Sequence, residues 1–170
     1  MKKWIIAAAA LCLISATASA QKMGSINRNA PTVKQSIEFG DKASMNLSYT
    51  AIAYGEGRWA KALADEGSRD GFRDRVNGAA AKTPLGSFKT SAELDLGGTK
   101  IPAGEYKMAF MVGDKYQWQM VLMAGDKKMA FDLALQETPM PSKRLLVGLY
   151  AGEKDFTAGL YIAFGDQTVD

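Results

Sequence analysis

Apolar and polar residues alternate along most of this chain in short runs, and glycine-containing turns separate one run from the next. Alternation with a period of two places every second side chain on the same face of a β-strand, so that one face can be buried. From Ser91 onward the runs recur at roughly ten-residue spacing. We therefore predict a mainly β fold, an antiparallel β-sandwich of about eight strands joined by tight turns.

One segment, at about residues 57–78, departs from this alternation and predicts a short helical insert. Trp59 and Leu63 lie one helical turn apart, and Phe72 and Val76 share a face of a second short helix. Glycine residues near both predicted helix ends are typical stop signals. We expect the insert to cover one open face or one end of the sandwich.

The segment from Pro102 to Gly104 predicts a tight corner between two strands. Pro102 presets φ, Gly104 tolerates a positive φ, and Tyr106 starts the next strand with its side chain pointing inward. Turn chemistry is a sufficient explanation of this motif, which needs no bound ligand.

The first 20 residues have the layout of a secretory signal peptide. A positively charged start precedes an apolar stretch, and small residues end at Ala20, after which cleavage is expected. Residues 21–31 are polar and predict a flexible lead-in, which leaves residues 32–170 as a single β-sandwich domain. The protein is therefore expected to be exported, to the periplasm or outside the cell, without a transmembrane segment in the mature chain.

Cleavage after Ala20 would also limit the catalytic and metal-binding side chains that the mature protein contains. It would remove Cys12, the one cysteine, and the sequence contains no histidine. A chain without either residue cannot form a Ser–His or Cys–His catalytic pair, and it lacks the usual ligands of zinc. Loss of Lys2 and Lys3 would lower the net charge from +3 to +1, which argues against nucleic-acid binding. We identify no catalytic residue, cofactor or metal.

Arginines concentrated in the helical insert are the candidate ligand-binding residues. Arg73 offers a planar guanidinium for bidentate contact with an anion, with Asn77 as a polar partner and Arg58 nearby. Such side chains on a rigid β scaffold are common in binding sites. The alternative is a solvated helical face on which Arg73 forms local ion pairs with Asp70 or Asp74.

Three functional classes are compatible with these features. We favour a non-catalytic binding or structural domain of the bacterial envelope, whose partner is a small molecule, a glycan or an envelope protein. A histidine-free hydrolase using paired carboxylates is an alternative, for which Glu93 and Asp95 are candidates on the polar face of a strand. An interaction subunit of an envelope assembly is another, and it would show an exposed apolar patch or an open sheet edge.

Three short segments carry a resemblance to a known family. Gly98–Tyr106 is similar to a Gly-x-x-Leu-Pro-Ala-Gly-Thr-Tyr corner, and Gln117–Leu122 is similar to a Glu-Trp-Thr-Val-Ile-Phe strand. Phe72–Asn77 keeps the arginine and the asparagine of a Trp-Arg-Thr-Gly-Ala-Asn segment. These patterns belong to a bacterial exported family catalogued as domain of unknown function 2911, which the chain resembles over about residues 31–135. The resemblance implies an exported β-sandwich and implies no activity.

Overall fold

The computed structural model describes residues 29–55 and 58–169, which form ten β-strands and two α-helices. In chain order these elements are β1 (Thr32–Phe39), β2 (Ala43–Thr50), α1 (Arg58–Ala64), α2 (Arg69–Lys82), β3 (Gly86–Thr90), β4 (Leu94–Leu96), β5 (Thr99–Ile101), β6 (Gly104–Val112), β7 (Trp118–Ala124), β8 (Lys127–Asp132), β9 (Gln136–Ala151) and β10 (Ala158–Val169). The mainly β, sandwich-like fold is confirmed, with ten strands in place of about eight. The predicted signal peptide, its cleavage after Ala20, Cys12 and most of the predicted lead-in lie outside the described residues.

Six strands form one antiparallel sheet, the main sheet, in the order β1-β2-β3-β6-β7-β8. The short strands β4 and β5, which connect β3 to β6 along the chain, form a hairpin of their own. Strands β9 and β10 form a separate two-stranded ribbon. The strand register aligns Leu47 with Phe88, and Phe88 with Tyr106. Because partners across an antiparallel pair share a face, this register collects the apolar residues of each strand on one side of the sheet.

The two faces of the main sheet are covered by different elements. One face packs against the ribbon and forms the larger core with the buried residues Met45, Leu47, Tyr49, Phe88, Tyr106, Met108, Met120, Leu122, Leu145, Val147 and Ile162. The opposite face carries a smaller buried cluster, against which Ala80 of α2 packs, made of Ala109, Met111, Val121 and Met123. The sandwich is therefore completed by a β-ribbon on one side and a helix on the other.

The helical insert lies where the sequence predicts it, but α2 is longer than expected. Gly78 does not end the helix, which continues to Lys82. The added turn contains Ala80, which is packed against the sheet, and alanine is the most favourable residue in a helix. The helix ends just before Thr83-Pro84, because a residue that precedes proline disfavours the α-helical conformation.

The predicted corner at Pro102 is also present, with one correction. The Tyr106 hydroxyl donates a hydrogen bond of 2.6 Å to the Pro102 carbonyl, and Tyr106 points into the core as expected. Gly104, however, does not have a positive φ; the positive φ values in this region belong to Gly97 and Gly98 in the preceding hairpin turn. Gly104 is the first residue of β6 and therefore has an extended backbone. The left-handed residues lie in the turn of the β4–β5 hairpin instead.

Candidate functional site

Asn77 attaches the helical insert to the end of the main sheet. Its side-chain amide donates a hydrogen bond of 2.9 Å to the Val112 carbonyl, and its Oδ1 accepts one of 2.8 Å from the Val112 N–H. Val112 is the last residue of β6 and is buried. Val112 pairs with Trp118 of β7, while β3 pairs with β6 only as far as Met108. Asn77 thus satisfies both backbone polar groups of Val112, and its side chain has a structural role.

Arg73 lies beside this attachment and contacts three side chains. Its guanidinium forms ion pairs with Asp70 at 3.4 Å and with Asp74 at 3.7 Å, so the local ion pairing considered for this residue is confirmed. The same guanidinium lies 5.5 Å from the ring centroid of Tyr116, and Arg69 lies 4.3 Å from it. The Tyr116 hydroxyl donates a hydrogen bond of 2.7 Å to Asp70. Two arginines and an aspartate therefore hold one tyrosine ring in place.

Tyr116 has an unusual backbone conformation, with a φ of +59°. It belongs to the turn between β6 and β7, where its N–H donates to the Gly113 carbonyl at 3.0 Å. A left-handed conformation at a residue other than glycine costs roughly 1–2 kcal/mol, and such residues cluster at ligand sites and switch regions. The contacts of Arg69, Arg73 and Asp70 with the ring stabilise this conformation.

Three aromatic rings pack beneath these charged residues, and we call this group the aromatic junction: Trp59 of α1, Phe72 of α2 and Trp118 of β7. The rings of Trp59 and Trp118 meet edge to face, with centroids 5.6 Å apart. Those of Phe72 and Trp118 do so at 6.3 Å. Phe72 is the fully buried member of the group. No residue of α1 is fully buried, and Trp59 anchors this helix through its ring contact with Trp118.

Three polar atoms at and beside the aromatic junction are buried without a hydrogen-bond partner among the described residues. They are Nε1 of Trp59, Nε1 of Trp118 and Oε1 of Gln117, and no other described side chain has such an atom. An unpaired buried polar group costs about 1–3 kcal/mol. Edge-to-face packing can direct an indole N–H at a neighbouring ring, but that interaction is weak. Two of these atoms belong to rings of the aromatic junction, and the third belongs to the residue that precedes Trp118 in the chain.

The polar side of this region is organised by Asp132 at the end of β8. Gln119 donates a hydrogen bond of 2.7 Å to its carboxylate, and the amide of Gln117 donates one of 3.2 Å. These hydrogen bonds hold the pKa of Asp132 below its ordinary value, since they stabilise the ionised form. The amide of Gln117 is thereby oriented with its nitrogen at Asp132, while its oxygen remains unpaired.

The predicted site residues are only partly brought together. Arg73 and Asn77 lie on α2 one turn apart, next to the turn that contains Tyr116. Arg58 is exposed at the first residue of α1 and takes part in none of the side-chain contacts described above. No local sequence pattern marks Tyr116 or Gln117 as a site residue, because the surroundings of Tyr116 depend on the packing of α2 against the β6–β7 turn.

The paired carboxylates considered for a hydrolase form an ion-pair group with a lysine. The ammonium of Lys100 lies 3.5 Å from the Glu93 carboxylate and 3.4 Å from that of Asp95. The hydrogen bond and charge of Asp95, and then the charge of Glu93, raise the pKa of Lys100. A carboxylic acid that donates a proton near neutral pH needs surroundings that disfavour its ionisation, whereas a lysine partner favours ionisation. This geometry does not support a general-acid role.

The described residues show neither a metal-binding cluster nor a membrane-spanning helix. Within residues 29–55 and 58–169, no three acidic or other metal-ligating side chains converge on one point, and neither helix has the length and apolar character needed to cross a membrane. The resemblance to the exported family of unknown function stays a prediction. No protein-family model matches the chain, and no curated protein or solved structure matches it.

Proposed function

We propose that this protein is an exported, non-catalytic binding domain that takes a small hydroxyl-bearing molecule, such as a monosaccharide, at the aromatic junction. The observation that carries the proposal is the group of three buried, unpaired polar atoms on Trp59, Trp118 and Gln117. Native proteins leave few buried polar groups without a partner, and each one calls for an explanation. A ligand that supplies the missing partners is the explanation we favour.

The chemistry of the three atoms defines the ligand class. Two indole N–H groups are donors and the glutamine oxygen is an acceptor, so the complement is a molecule that both accepts and donates hydrogen bonds. A hydroxyl group does both. Ligand sites are usually lined by apolar and aromatic side chains with a few convergent polar groups, and the junction has that composition. A sugar ring combines hydroxyl groups with apolar faces that can pack on aromatic rings.

Access to the junction depends on α1, which covers it through Trp59. This helix has seven residues, and isolated helices of that length are marginal in water. It packs against α2 and, through the Trp59 ring, against Trp118 of β7, and none of its residues is fully buried. Segments with few buried apolar contacts open at low free energy. We therefore expect displacement of α1 to expose the unpaired atoms and to admit the ligand.

The roles of the sequence-predicted residues follow from this proposal. Arg73 borders the junction and fixes Tyr116 through its ion pairs and ring contact, while Asn77 holds α2 in position. Arg73 and Asn77 therefore position Tyr116 and α2, and the residues that contact the ligand are Trp59, Gln117 and Trp118. Export is supported by the leader-like first 20 residues, and a non-catalytic role by the lack of histidine.

Tryptophan fluorescence tests the proposal directly. The sequence has three tryptophans, and the one outside the site, Trp4, would leave with the signal peptide. We expect titration of the mature protein with glucose, galactose or N-acetylglucosamine to give a saturable change in emission, and glycerol to give none. Trp59→Phe should weaken binding about fivefold or more, the value of one hydrogen bond, while its melting temperature stays close to that of the wild type.

Two outcomes would contradict the proposal. One is a wild-type protein whose emission does not respond to any of the three sugars. The other is a Trp59→Phe variant that binds as tightly as the wild type. Tyr161→Phe is a control, because this residue lies on the ribbon, away from the junction, and its variant should bind normally.

A second candidate function, interaction within an envelope assembly, is favoured by exposed apolar residues on and next to β9. Met140 is 81% exposed, Leu146 45% and Phe156 58%. Exposed apolar patches mark protein interaction sites when they are contiguous. If this surface joins two copies of the chain, sedimentation velocity should show a dimer that Leu146→Ser disrupts. A wild-type protein that sediments as a monomer at all concentrations would rule out self-association through the ribbon.

A further inference from the structure

The face of the main sheet that carries α2 also carries a row of lysines that crosses all six strands. Strand register aligns six residues side by side: Lys34, Ser48, Ser87, Lys107, Met123 and Lys128. The neighbouring row contains Ser36, Asn46, Lys89 and Glu105. We call these two rows the lysine band. Because partners across antiparallel strands share a face, all of these side chains project on the same side of the sheet.

The lysines of the band are exposed and form no ion pair with any described carboxylate. This is true of Lys34, Lys89, Lys107 and Lys128 alike. Arg69 and Arg73 of the helical insert differ, because each forms an ion pair with a neighbouring carboxylate. Within the two rows there are four lysines and one acidic residue, Glu105. Lys34, Lys107 and Lys128 therefore form a line of positive charges without ion-pair partners across one face of the sheet.

The dimensions of the band follow from sheet geometry. Neighbouring strands lie about 4.8 Å apart, so the row from Lys34 on β1 to Lys128 on β8 spans roughly 24 Å at the backbone. Lys107 and Lys128 are two strands apart, or about 10 Å. A shallow depression of about 330 Å³ lies in the middle of the band, and Ser87, Glu105, Lys107 and Met123 contribute to its wall.

We propose that the lysine band binds an acidic polysaccharide, an extended chain of sugars that bears carboxylate or sulfate groups. Lysines at intervals along one row complement negative charges repeated along a polymer, and an open sheet face admits a chain that a closed pocket would not. Glu105 would repel an anionic group placed directly against it, so it favours a ligand that presents uncharged hydroxyl groups between its anionic groups. It is instead an acceptor for sugar hydroxyls, as are the serine hydroxyls in the row.

This site is separate from the aromatic junction and does not depend on it. Ala109 and Val121 occupy the next row of the same face, and Met111 the row after that. Together with Met123 of the band, these residues form the cluster against which α2 packs, so the helix covers the neighbouring part of the face and the band adjoins it at Met123. The two sites can therefore be tested with different ligands and different variants.

Binding of oligogalacturonate, measured by isothermal titration calorimetry with the mature protein, tests the proposal. We expect saturable binding that weakens as ionic strength rises, since exposed charges are screened by salt, and no binding of neutral dextran. The triple variant Lys34→Gln, Lys107→Gln, Lys128→Gln should lose about tenfold in affinity or more. The matched triple variant Lys42→Gln, Lys143→Gln, Lys154→Gln removes the same charge elsewhere and should bind nearly as the wild type does.

A single substitution separates sugar recognition from net charge. Glu105→Leu removes a negative charge, so an interaction that depends on charge alone would become tighter. If Glu105 accepts a hydrogen bond from a sugar hydroxyl, the same change should weaken binding about fivefold.

Three results would overturn the proposal. The first is an equal loss of affinity in the two triple variants, and the second is tighter binding by Glu105→Leu. The third is binding to vesicles that contain phosphatidylglycerol without binding to oligogalacturonate, which would assign the band to an anionic membrane surface.

Discussion

Replacement of Asn77 by alanine is expected to lower the free energy of unfolding by about 2–4 kcal/mol, because it leaves a buried N–H and a buried carbonyl of Val112 without partners. Both hydrogen bonds from the Asn77 side chain would be lost, at 2.9 and 2.8 Å. The change would also loosen α2 from the end of β6. Urea unfolding monitored by circular dichroism measures the effect.

The aspartate variant gives this prediction a pH signature. Asn77→Asp keeps an acceptor for the Val112 N–H but places a carboxylate against the Val112 carbonyl, so at neutral pH it should destabilise at least as much as alanine. At pH values below about 4 the protonated acid can donate a hydrogen bond, and part of the loss should be recovered. Asn46→Ala is the matched control on the exposed sheet face and should change stability by less than about 0.5 kcal/mol.

Other results for Asn77→Ala would assign a different role to Asn77. If Asn77→Ala leaves stability unchanged but abolishes ligand binding, then Asn77 is a ligand contact, as the sequence alone suggests. If both stability and binding fall, the asparagine acts by positioning α2, and the binding loss follows from the displaced helix.

Replacement of Gly165 by alanine should lower the free energy of unfolding by about 2–4 kcal/mol, for two separate reasons. Gly165 has a φ of +66°, which alanine adopts at a penalty, and a Cβ at this position would overlap the ring of Tyr54. That ring is not free to move. It packs edge to face on Phe164, with centroids 5.2 Å apart, and its hydroxyl donates a hydrogen bond of 3.2 Å to Asp166.

Two other glycines separate the backbone penalty from the steric overlap. Gly125 has a φ of +57° but no heavy atom within 4 Å of an added Cβ, so Gly125→Ala should cost about 1–2 kcal/mol. Gly78 lies within α2 with the same open surroundings, and Gly78→Ala should stabilise the protein by about 0.5–1 kcal/mol. A Gly165→Ala variant no less stable than Gly125→Ala in denaturant unfolding would show that the Tyr54 ring moves aside.

The location of the candidate site was more predictable than the roles of its residues. The charge pattern of the helical insert identifies Arg73 and Asn77, and the structure places both at the end of the sheet. The sequence pattern does not reveal that Asn77 hydrogen-bonds with Val112, because the two residues are 35 positions apart in the chain. The alternating pattern groups Tyr116 with the strand of Trp118, whereas the structure places Tyr116 in the turn with a left-handed backbone.

The sequence by itself determined most of the strand-forming segments, the buried face of those strands, and the position of the helical insert. These properties depend on the spacing of apolar residues over a few positions, which is a local property of the chain. The segment around Pro139 and Pro141 is the exception, because its prolines predict a loop and the structure places it within β9. Tertiary structure alone decided the order of the strands in the main sheet and the aromatic junction. It also decided the alignment of Lys34, Lys107 and Lys128 in one row. Each lysine belongs to the polar side of its own strand, but their alignment depends on pairing registers between distant segments, which local periodicity does not specify.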